Sequence, residues 1–203
     1  MKINAAEKLM INNPARALML RLLIGKMVSW TPGRNFVDVG EIGCGPGNGL
    51  TAIDKVLRPK RLFAFDLDER MVEIAQKRAR SIRATLDLRV AAAENIPWPD
   101  ESLDAVFEMT IFHHVPDWRA AVAEVVRVLR PGGVFFFEEL TREYHFDVPV
   151  LSFIQQKFTV HPWDTIPDRA TFLAEIENGG LQLVHQSKFL FDGWVLGAAR
   201  KPE

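Results

Sequence analysis

The chain has 203 residues, of which 48% are hydrophobic, and this is enough to form one well-packed domain. Its formal net charge of −1 gives no overall attraction to nucleic acid or to an anionic membrane. Cys44 is the single cysteine, which excludes a disulfide within the chain, and no stretch is long and apolar enough to cross a membrane. We therefore expect a cytoplasmic protein with no stable membrane insertion and no nucleic-acid partner.

The first predicted element is a helix that begins at Asn13-Pro14, because asparagine is a good N-cap and proline suits the first helical position. Arg16, Arg21 and Lys26 step by about 140° around the helix axis, so the helix has no single polar face. Either it is covered on two sides, by the domain and by a ligand, a second subunit or a membrane surface, or the long basic stems lie over apolar surface. We favour the second interpretation, and a homodimer through this helix stays open.

After a break at residues 30–33, short β-rich runs alternate with helical segments. This alternation predicts a parallel sheet with helices on both faces, in the α/β class. A helix at 168–180 and an antiparallel hairpin of 181–190 with 193–201 follow near the C-terminus. The other predicted strands are 35–42, 61–66, 87–92, 103–109 and 133–139, and the predicted helices between them are 48–57, 68–82 and 117–130.

One connection, residues 141–166, is longer than most and is rich in aromatic residues and proline. A long loop after a parallel strand commonly forms a lid or the wall of a pocket. Its aromatic side chains line a pocket or belong to the core, and we favour the pocket for Tyr144, Phe153, Phe158 and Trp163.

The stretch VGEIGCGPGNG (39–49) contains the end of the first predicted strand, its exit loop and the start of the next helix, and open parallel sheets bind ligands at such loops. Its glycines let a ligand approach the backbone and permit positive φ. The dinucleotide pattern G-x-G-x-x-G fails, because its third glycine would fall at Asn48 or Leu50, and no lysine follows as a phosphate loop requires. Pro46 removes an N–H group, and Glu41 places a carboxylate where a phosphate would lie. The site therefore favours a ligand with positive charge.

Three stretches together resemble the class I S-adenosylmethionine-dependent methyltransferases, of the small-molecule, methyltransferase domain 11 type. EIGCGPG (41–47) is similar to their first motif, FAFDLDERMVEIAQKR (63–78) to their second, and residues 91–133 to their long central signature. The resemblance implies a three-layer Rossmann-like sandwich with a mostly parallel seven-stranded sheet, a C-terminal antiparallel hairpin and an added N-terminal helix. It also implies methyl transfer from S-adenosyl-L-methionine, with S-adenosyl-L-homocysteine as product, to a small-molecule acceptor.

The resemblance further implies a cofactor site. Glu41 and the glycine loop hold the methionine part, Asp66 accepts hydrogen bonds from the ribose hydroxyls, and Leu67 and Met71 flank the adenine. Relatives often carry an aspartate where this chain has Ala92, and the loss of that contact weakens cofactor binding unless a water replaces it. The implied cofactor-binding residues are Glu41, Gly43, Cys44, Gly45, Gly47, Asp66, Leu67, Met71, Ala92, Ala93, Glu94, Glu108 and Met109.

The domain organisation follows from the same resemblance. We expect one methyltransferase domain over residues 1–203. It would consist of an N-terminal helical cover (1–33), a cofactor-binding core (34–140), an acceptor lid (141–166) and a C-terminal helix with a hairpin (167–203).

Two residues are candidates for a general base, Glu108 and His113. The pair His113-His114 occurs in many relatives whatever their substrate, which also fits a structural role. A base is needed only if the acceptor must lose a proton, since the sulfonium already activates the methyl group and the protein mainly has to align the acceptor and exclude water. The histidines show no metal spacing, so no metal is expected.

The acceptor is expected to be uncharged or largely apolar, because the lid has many aromatic residues and no dense cluster of charge. Two alternatives stay open. One is a binding or regulatory protein that keeps the fold with little catalysis, which the Ala92 departure supports. The other is a methyltransferase of nucleic acid or protein, which a short and nearly neutral chain disfavours.

Overall fold

The computed structural model describes residues 14–146, 164–189 and 191–203. In chain order its elements are α1 (Pro14–Ser29), β1 (Asp38–Ile42), α2 (Asn48–Leu57), β2 (Arg61–Asp66), α3 (Glu69–Arg78), β3 (Thr85–Val90), β4 (Leu103–Met109), α4 (Trp118–Val128), β5 (Leu129–Leu140), α5 (Arg142–Phe146), α6 (Arg169–Asn178), β6 (Gln182–Phe189) and β7 (Phe191–Arg200). Short 3-10 turns cover Ala79–Ser81 and Phe112–His114.

The strands form one seven-stranded sheet in the order β3-β2-β1-β4-β5-β7-β6. The first five strands run parallel, and β7 pairs antiparallel with both β5 and β6. The predicted mostly parallel sheet with a C-terminal antiparallel hairpin is therefore confirmed. The chain order reverses between β1 and β4, so the carboxyl ends of these two strands border a crevice.

Strand limits differ from the predicted ones at several places. β2 and β4 have the predicted limits, whereas β1 begins at Asp38 rather than at residue 35 and β3 covers 85–90 rather than 87–92. The prediction of a helix to residue 130 was wrong: Leu129 is already extended, at φ −69° and ψ 134°, and it pairs with Leu103 of β4. Pairing with the neighbouring strand therefore ends the helix before Pro131.

The core lies on both faces of the sheet. Successive residues of β5 point to opposite faces, as the strand repeat requires. Phe135 and Phe137 pack with Trp118 and Phe172 of α4 and α6, and Phe136 belongs to the cluster on the other face. This sandwich fixes β1, β4 and β5 side by side, which brings their carboxyl ends to one edge.

The described part of α1 belongs to the second of these clusters. Ile24 and Met27 are fully buried there with residues of α2 and the sheet, and Leu20 is nearly so. On the outer side of the helix Leu18 and Leu22 are 57% and 68% exposed. The helix thus has apolar side chains on both its buried and its exposed side. No helix in the described ranges combines the length and the apolar character that crossing a membrane requires.

Substitutions on the buried and on the exposed side of α1 are expected to differ in their effect on stability. Ile24→Ala should lower the free energy of unfolding by about 2–5 kcal/mol, because it leaves a cavity in the core. Leu22→Ala, on the exposed side of the same helix, should change it by less than about 0.5 kcal/mol. Urea unfolding of both variants measures the difference, and equal losses would show that α1 does not pack as the structure has it.

The segment predicted as a lid is described only at its ends, since residues 147–163 lie outside the described ranges, and with them Phe153, Phe158 and Trp163. Its two ends meet. The Arg142 N–H donates to the Pro167 carbonyl at 2.9 Å, and the Thr141 N–H donates to the Gly193 carbonyl at 2.8 Å. Tyr144 is half-buried and its ring lies 6.2 Å from that of Trp194.

Candidate functional site

The candidate site lies where β1, β2, β4 and β5 end, at the reversal of strand order. The loop after β1 turns sharply, with positive φ at Gly43 (61°), Gly45 (49°) and Gly47 (82°). A Cβ atom on Gly43 would lie 2.3 Å from Ile111 Cγ1, whereas a Cβ on Gly45 would meet open space. Gly43 is therefore needed for close packing of this loop on the turn that follows β4, whereas the backbone at Gly45 faces open space.

A matched pair of substitutions tests this packing. Gly43→Ala should lower the free energy of unfolding by about 1–2 kcal/mol for the left-handed backbone and by about 1–3 kcal/mol more for the overlap with Ile111. Gly45→Ala should cost only the backbone part, about 1–2 kcal/mol. Urea unfolding compares the two, and a Gly45→Ala loss as large as that of Gly43→Ala would contradict the close contact.

Glu41 sits at the end of β1 and is 3% exposed. Its Oε1 would lie 1.7 Å from a Cβ on Gly49, so only glycine fits against this carboxyl. Within the described ranges Oε2 is buried without a hydrogen-bond partner. Burial, helped by the charge of Asp66 and opposed by a hydrogen bond from the Leu50 N–H, raises the pKa of Glu41 to about 8. The site therefore contains a buried carboxyl with an unused oxygen, suited to a cationic group.

Asp66 ends β2 and links it to the glycine loop. Its Oδ2 accepts from the Gly45 N–H at 2.8 Å and its Oδ1 from the Asp68 N–H at 2.9 Å. Burial raises the pKa of Asp66, and these two hydrogen bonds oppose the shift. Asp68 caps α3 by accepting from the Arg70 N–H, as the sequence suggested, so Asp66 is not the helix cap.

The remaining residues of the predicted cofactor set follow the carboxyl ends of β2 and β3, and they differ in exposure. Met71 and Ala93 are buried, Leu67 is 71% exposed, and Ala92 and Glu94 are half-buried. The strand ends are tied together by the Ala91 N–H, which donates to the Asp66 carbonyl at 3.2 Å.

Cys44, in the glycine loop, is buried, and its backbone N–H donates to the Phe65 carbonyl at 2.9 Å. Burial, together with the charges of Glu41 and Asp66, raises the pKa of its thiol. The thiol therefore stays protonated, and the residue acts as a small apolar group in a tight loop.

At the end of β4, Glu108 is fully buried and its Oε1 accepts from the Ile111 N–H at 2.6 Å. It lies beside Glu139 of β5, which is also fully buried. Glu139 accepts from the Phe112 N–H at 2.8 Å, and its Oε1 lies 2.5 Å from His113 Nδ1. The structure thus brings together the two predicted base candidates, Glu108 and His113, through a third residue.

Glu139 was not predicted as a site residue. The sequence showed it only as the end of the strand at 133–139. A signal was present, because two acids that end a wholly apolar strand are costly to bury and are often found at functional sites.

Met109, also in the predicted cofactor set, is half-buried at the end of β4.

Comparisons with known proteins agree with this architecture. Residues 40–137 match the family of methyltransferase domains. A phthiotriol/phenolphthiotriol dimycocerosates methyltransferase of Mycobacterium tuberculosis is 38% identical over 109 residues, which are 51% of this chain and 40% of that protein. A fatty-acid O-methyltransferase of Mycolicibacterium smegmatis is 32% identical over 109 residues, which are 54% of this chain and 38% of that protein. The matches thus span well under half the length of these curated relatives.

A solved structure extends the likeness to the whole fold. The S-adenosylmethionine-dependent methyltransferase of Aquifex aeolicus superposes with a TM-score of 0.71 at 18% identity, over 98% of each chain. At that identity the likeness concerns the fold alone. The chain therefore has a Rossmann-like fold similar to that structure, and its residues 40–137 are similar to the methyltransferase domain family.

Proposed function

We propose that this protein is an S-adenosylmethionine-dependent methyltransferase that moves a methyl group by in-line displacement to a small, largely apolar acceptor. The observation that carries the proposal is the pairing of Glu41, with its unused buried oxygen, and Asp66 around a loop of positive-φ glycines. When bound, the cofactor supplies an electrophilic methyl group on a sulfonium. The chain has to bind it, align the acceptor and exclude water.

The residues present fit this cofactor. Glu41 Oε2 would receive the positive charge of the methionine part. Asp66, whose oxygens each accept one backbone N–H, has lone pairs left for the ribose hydroxyls. Leu67 and Met71 would flank the adenine, with Ala93 and Glu94 beside it and Met109 near the reacting methyl group. Ala92 offers no carboxylate to the adenine amino group, which costs about 0.5–1.5 kcal/mol of affinity if the missing bond was neutral.

The acceptor class is suggested by the names of the relatives. These proteins are named for a phthiotriol lipid and for fatty acids, which are largely apolar molecules. In the proposal residues 34–140 form the cofactor-binding core of a single domain, 141–166 form the acceptor lid, and the protein acts in the cytoplasm. The proposal also includes a homodimer through α1, in which the exposed Leu18 and Leu22 would be covered.

The proposal is tested by adding methyl-labelled S-adenosylmethionine and a panel of small apolar alcohols, acids and phenols. We expect saturable cofactor binding by calorimetry and label transfer to at least one apolar acceptor. Cofactor binding without transfer to any acceptor would favour the binding-protein alternative. Absence of cofactor binding at millimolar concentration would contradict the proposed methyltransferase and would also favour that alternative.

A further inference from the structure

Glu139 is the most heavily hydrogen-bonded acid of the crevice. Its carboxylate accepts from the Phe112 N–H at 2.8 Å and from the Leu140 N–H at 2.7 Å, and it lies 2.5 Å from His113 Nδ1. The carboxyl is fully buried, and the His113 side chain is only 5% exposed. These contacts hold the imidazole in one orientation in the turn that directly follows β4.

Glu108 and Glu139 are neighbouring buried carboxyls, and two such groups do not both carry charge. Two backbone N–H groups, those of Phe112 and Leu140, donate to Glu139, whereas among the described residues a single one, that of Ile111, donates to Glu108. Burial raises the pKa of both carboxyls, and it raises that of Glu108 further, because the hydrogen bonds from the Phe112 and Leu140 N–H groups oppose the shift at Glu139. The shared proton therefore resides on Glu108, and Glu139 is the ionised member.

This assignment decides which nitrogen of His113 is basic. An ionised carboxylate only accepts, so Nδ1 must be the protonated nitrogen of the neutral ring, and the lone pair then lies on Nε2. Among the described residues, the other titratable groups close to the pair of Glu139 and His113 (the dyad) are Glu108 on β4, Glu138 on β5 and His114, whose ring centroid is 4.1 Å from that of His113. A carboxylate that fixes an imidazole in this way is the usual partner of a general base.

The 110–114 turn is held in a costly backbone conformation. Thr110 has φ of 60°, unusual for a β-branched residue, and its N–H donates to the Glu138 carbonyl at 2.6 Å. Glu108 and Glu139 each accept a backbone N–H of this turn.

Resting on the proposed function, we infer that Glu139 is a positioning residue that orients His113, and that His113 takes a proton from the molecule that is methylated. That molecule carries a neutral hydroxyl group, rather than a carboxylate, as the group that receives the methyl. Glu139, the ionised member of the carboxyl pair, would repel a carboxylate acceptor. A hydroxyl, in contrast, attacks well only as it loses its proton, so it needs the base that the pair of Glu139 and His113 would provide.

The step balances in atoms and charge. The hydroxyl oxygen forms a bond to the methyl carbon while the carbon–sulfur bond breaks and leaves its electron pair on sulfur. The hydroxyl proton passes to Nε2 of His113. A sulfonium and a neutral imidazole thus become a thioether and an imidazolium, and the imidazolium is stabilised by the Glu139 carboxylate.

Histidine NMR of the full chain tests the positioning role without any acceptor. The His113 resonances, assigned through His113→Gln, should titrate at lower pH by about one unit or more in Glu139→Gln, because an adjacent negative charge is lost. Glu138→Gln is the matched control, since Glu138 is the preceding residue of β5, is also buried, and accepts from Trp194 Nε1 at 3.0 Å. An unchanged His113 midpoint in Glu139→Gln, or an equal shift in both variants, would overturn the role of Glu139.

A matched pair of probes, 1-dodecanol and dodecanoate, tests the acceptor class with methyl-labelled S-adenosylmethionine. We expect the alcohol to be methylated at least roughly tenfold faster than the acid. Glu139→Gln should lower kcat for the alcohol by about 100-fold, with restoration by Glu139→Asp and a changed pH profile, while cofactor affinity stays within about twofold. Methylation of the acid in preference to the alcohol would overturn the acceptor class.

If neither probe is turned over, the His113 midpoint decides on its own. Loss of cofactor binding by the wild-type chain would count against the proposed function, because the dyad can keep its titration behaviour in a protein that binds no cofactor. The two failures are therefore distinguishable.

Discussion

Replacing Asp66 by alanine is expected to lower the affinity for S-adenosylmethionine by at least about tenfold. A hydrogen bond to a charged group contributes about 1.5–3 kcal/mol, and tenfold corresponds to about 1.4 kcal/mol. The variant also loses the links from Asp66 to the Gly45 N–H and the Asp68 N–H, which hold the glycine loop against the end of β2. Isothermal calorimetry measures the affinity directly.

Asp68→Ala is the control, because Asp68 lies in the same turn and carries the same charge. It caps α3, so its loss should lower the free energy of unfolding by about 1 kcal/mol while cofactor affinity stays within about twofold. An unchanged affinity in Asp66→Ala, or equal losses of affinity in the two variants, would remove the ribose assignment.

Cofactor binding is expected to release a proton from Glu41. With its pKa raised to about 8, the carboxyl is mostly protonated in the unliganded protein at neutral pH, and a cation beside Oε2 favours the ionised form. Calorimetry near pH 7 in two buffers of different ionisation enthalpy should therefore show release of up to about one proton per bound cofactor. Between about pH 6 and pH 7 the affinity should rise by up to about tenfold.

Glu41→Gln should abolish the release of that proton and flatten the pH dependence of binding. The same residue affects stability. Its pKa is raised from 4.5 to about 8 on folding, so the folded chain holds more protons in that window and its free energy of unfolding falls as pH rises through it. Urea unfolding at about pH 5 and pH 8 should show this fall in the wild type and a smaller one in Glu41→Gln. A wild-type affinity that does not change with pH would contradict the role of Glu41 in binding the cationic group of the cofactor.

Much of the sheet could be predicted because its strands are continuous apolar runs between clear breaks. β2 and β4 were predicted with their observed limits, and the order of strands and helices along the chain predicted the parallel arrangement. The junction of α4 and β5 could not be predicted, because Leu129 suits a helix locally and is extended only through its pairing with Leu103. Tertiary pairing there overrides local preference.

Residues of the candidate site divide in the same way. Glu41 and Asp66 lie in short motifs of fixed spacing, so both could be placed at strand ends from the sequence. Glu139 lies 26 residues from His113, and only the pairing of β4 with β5 brings them together. The orientation of α1 was equally inaccessible, because its apolar residues surround the helix and no periodicity selects Ile24 and Met27 as the buried side.

In the proposed function the crevice between β1 and β4 accepts a cationic nucleoside and not a pyrophosphate. Parallel calorimetric titrations of the wild-type chain with S-adenosylmethionine and with a nicotinamide dinucleotide distinguish the two ligands. We expect saturable binding of S-adenosylmethionine and no measurable heat from the dinucleotide at millimolar concentration. Binding of the dinucleotide, or absence of binding for both ligands, would show that the crevice is not a site for a cationic nucleoside.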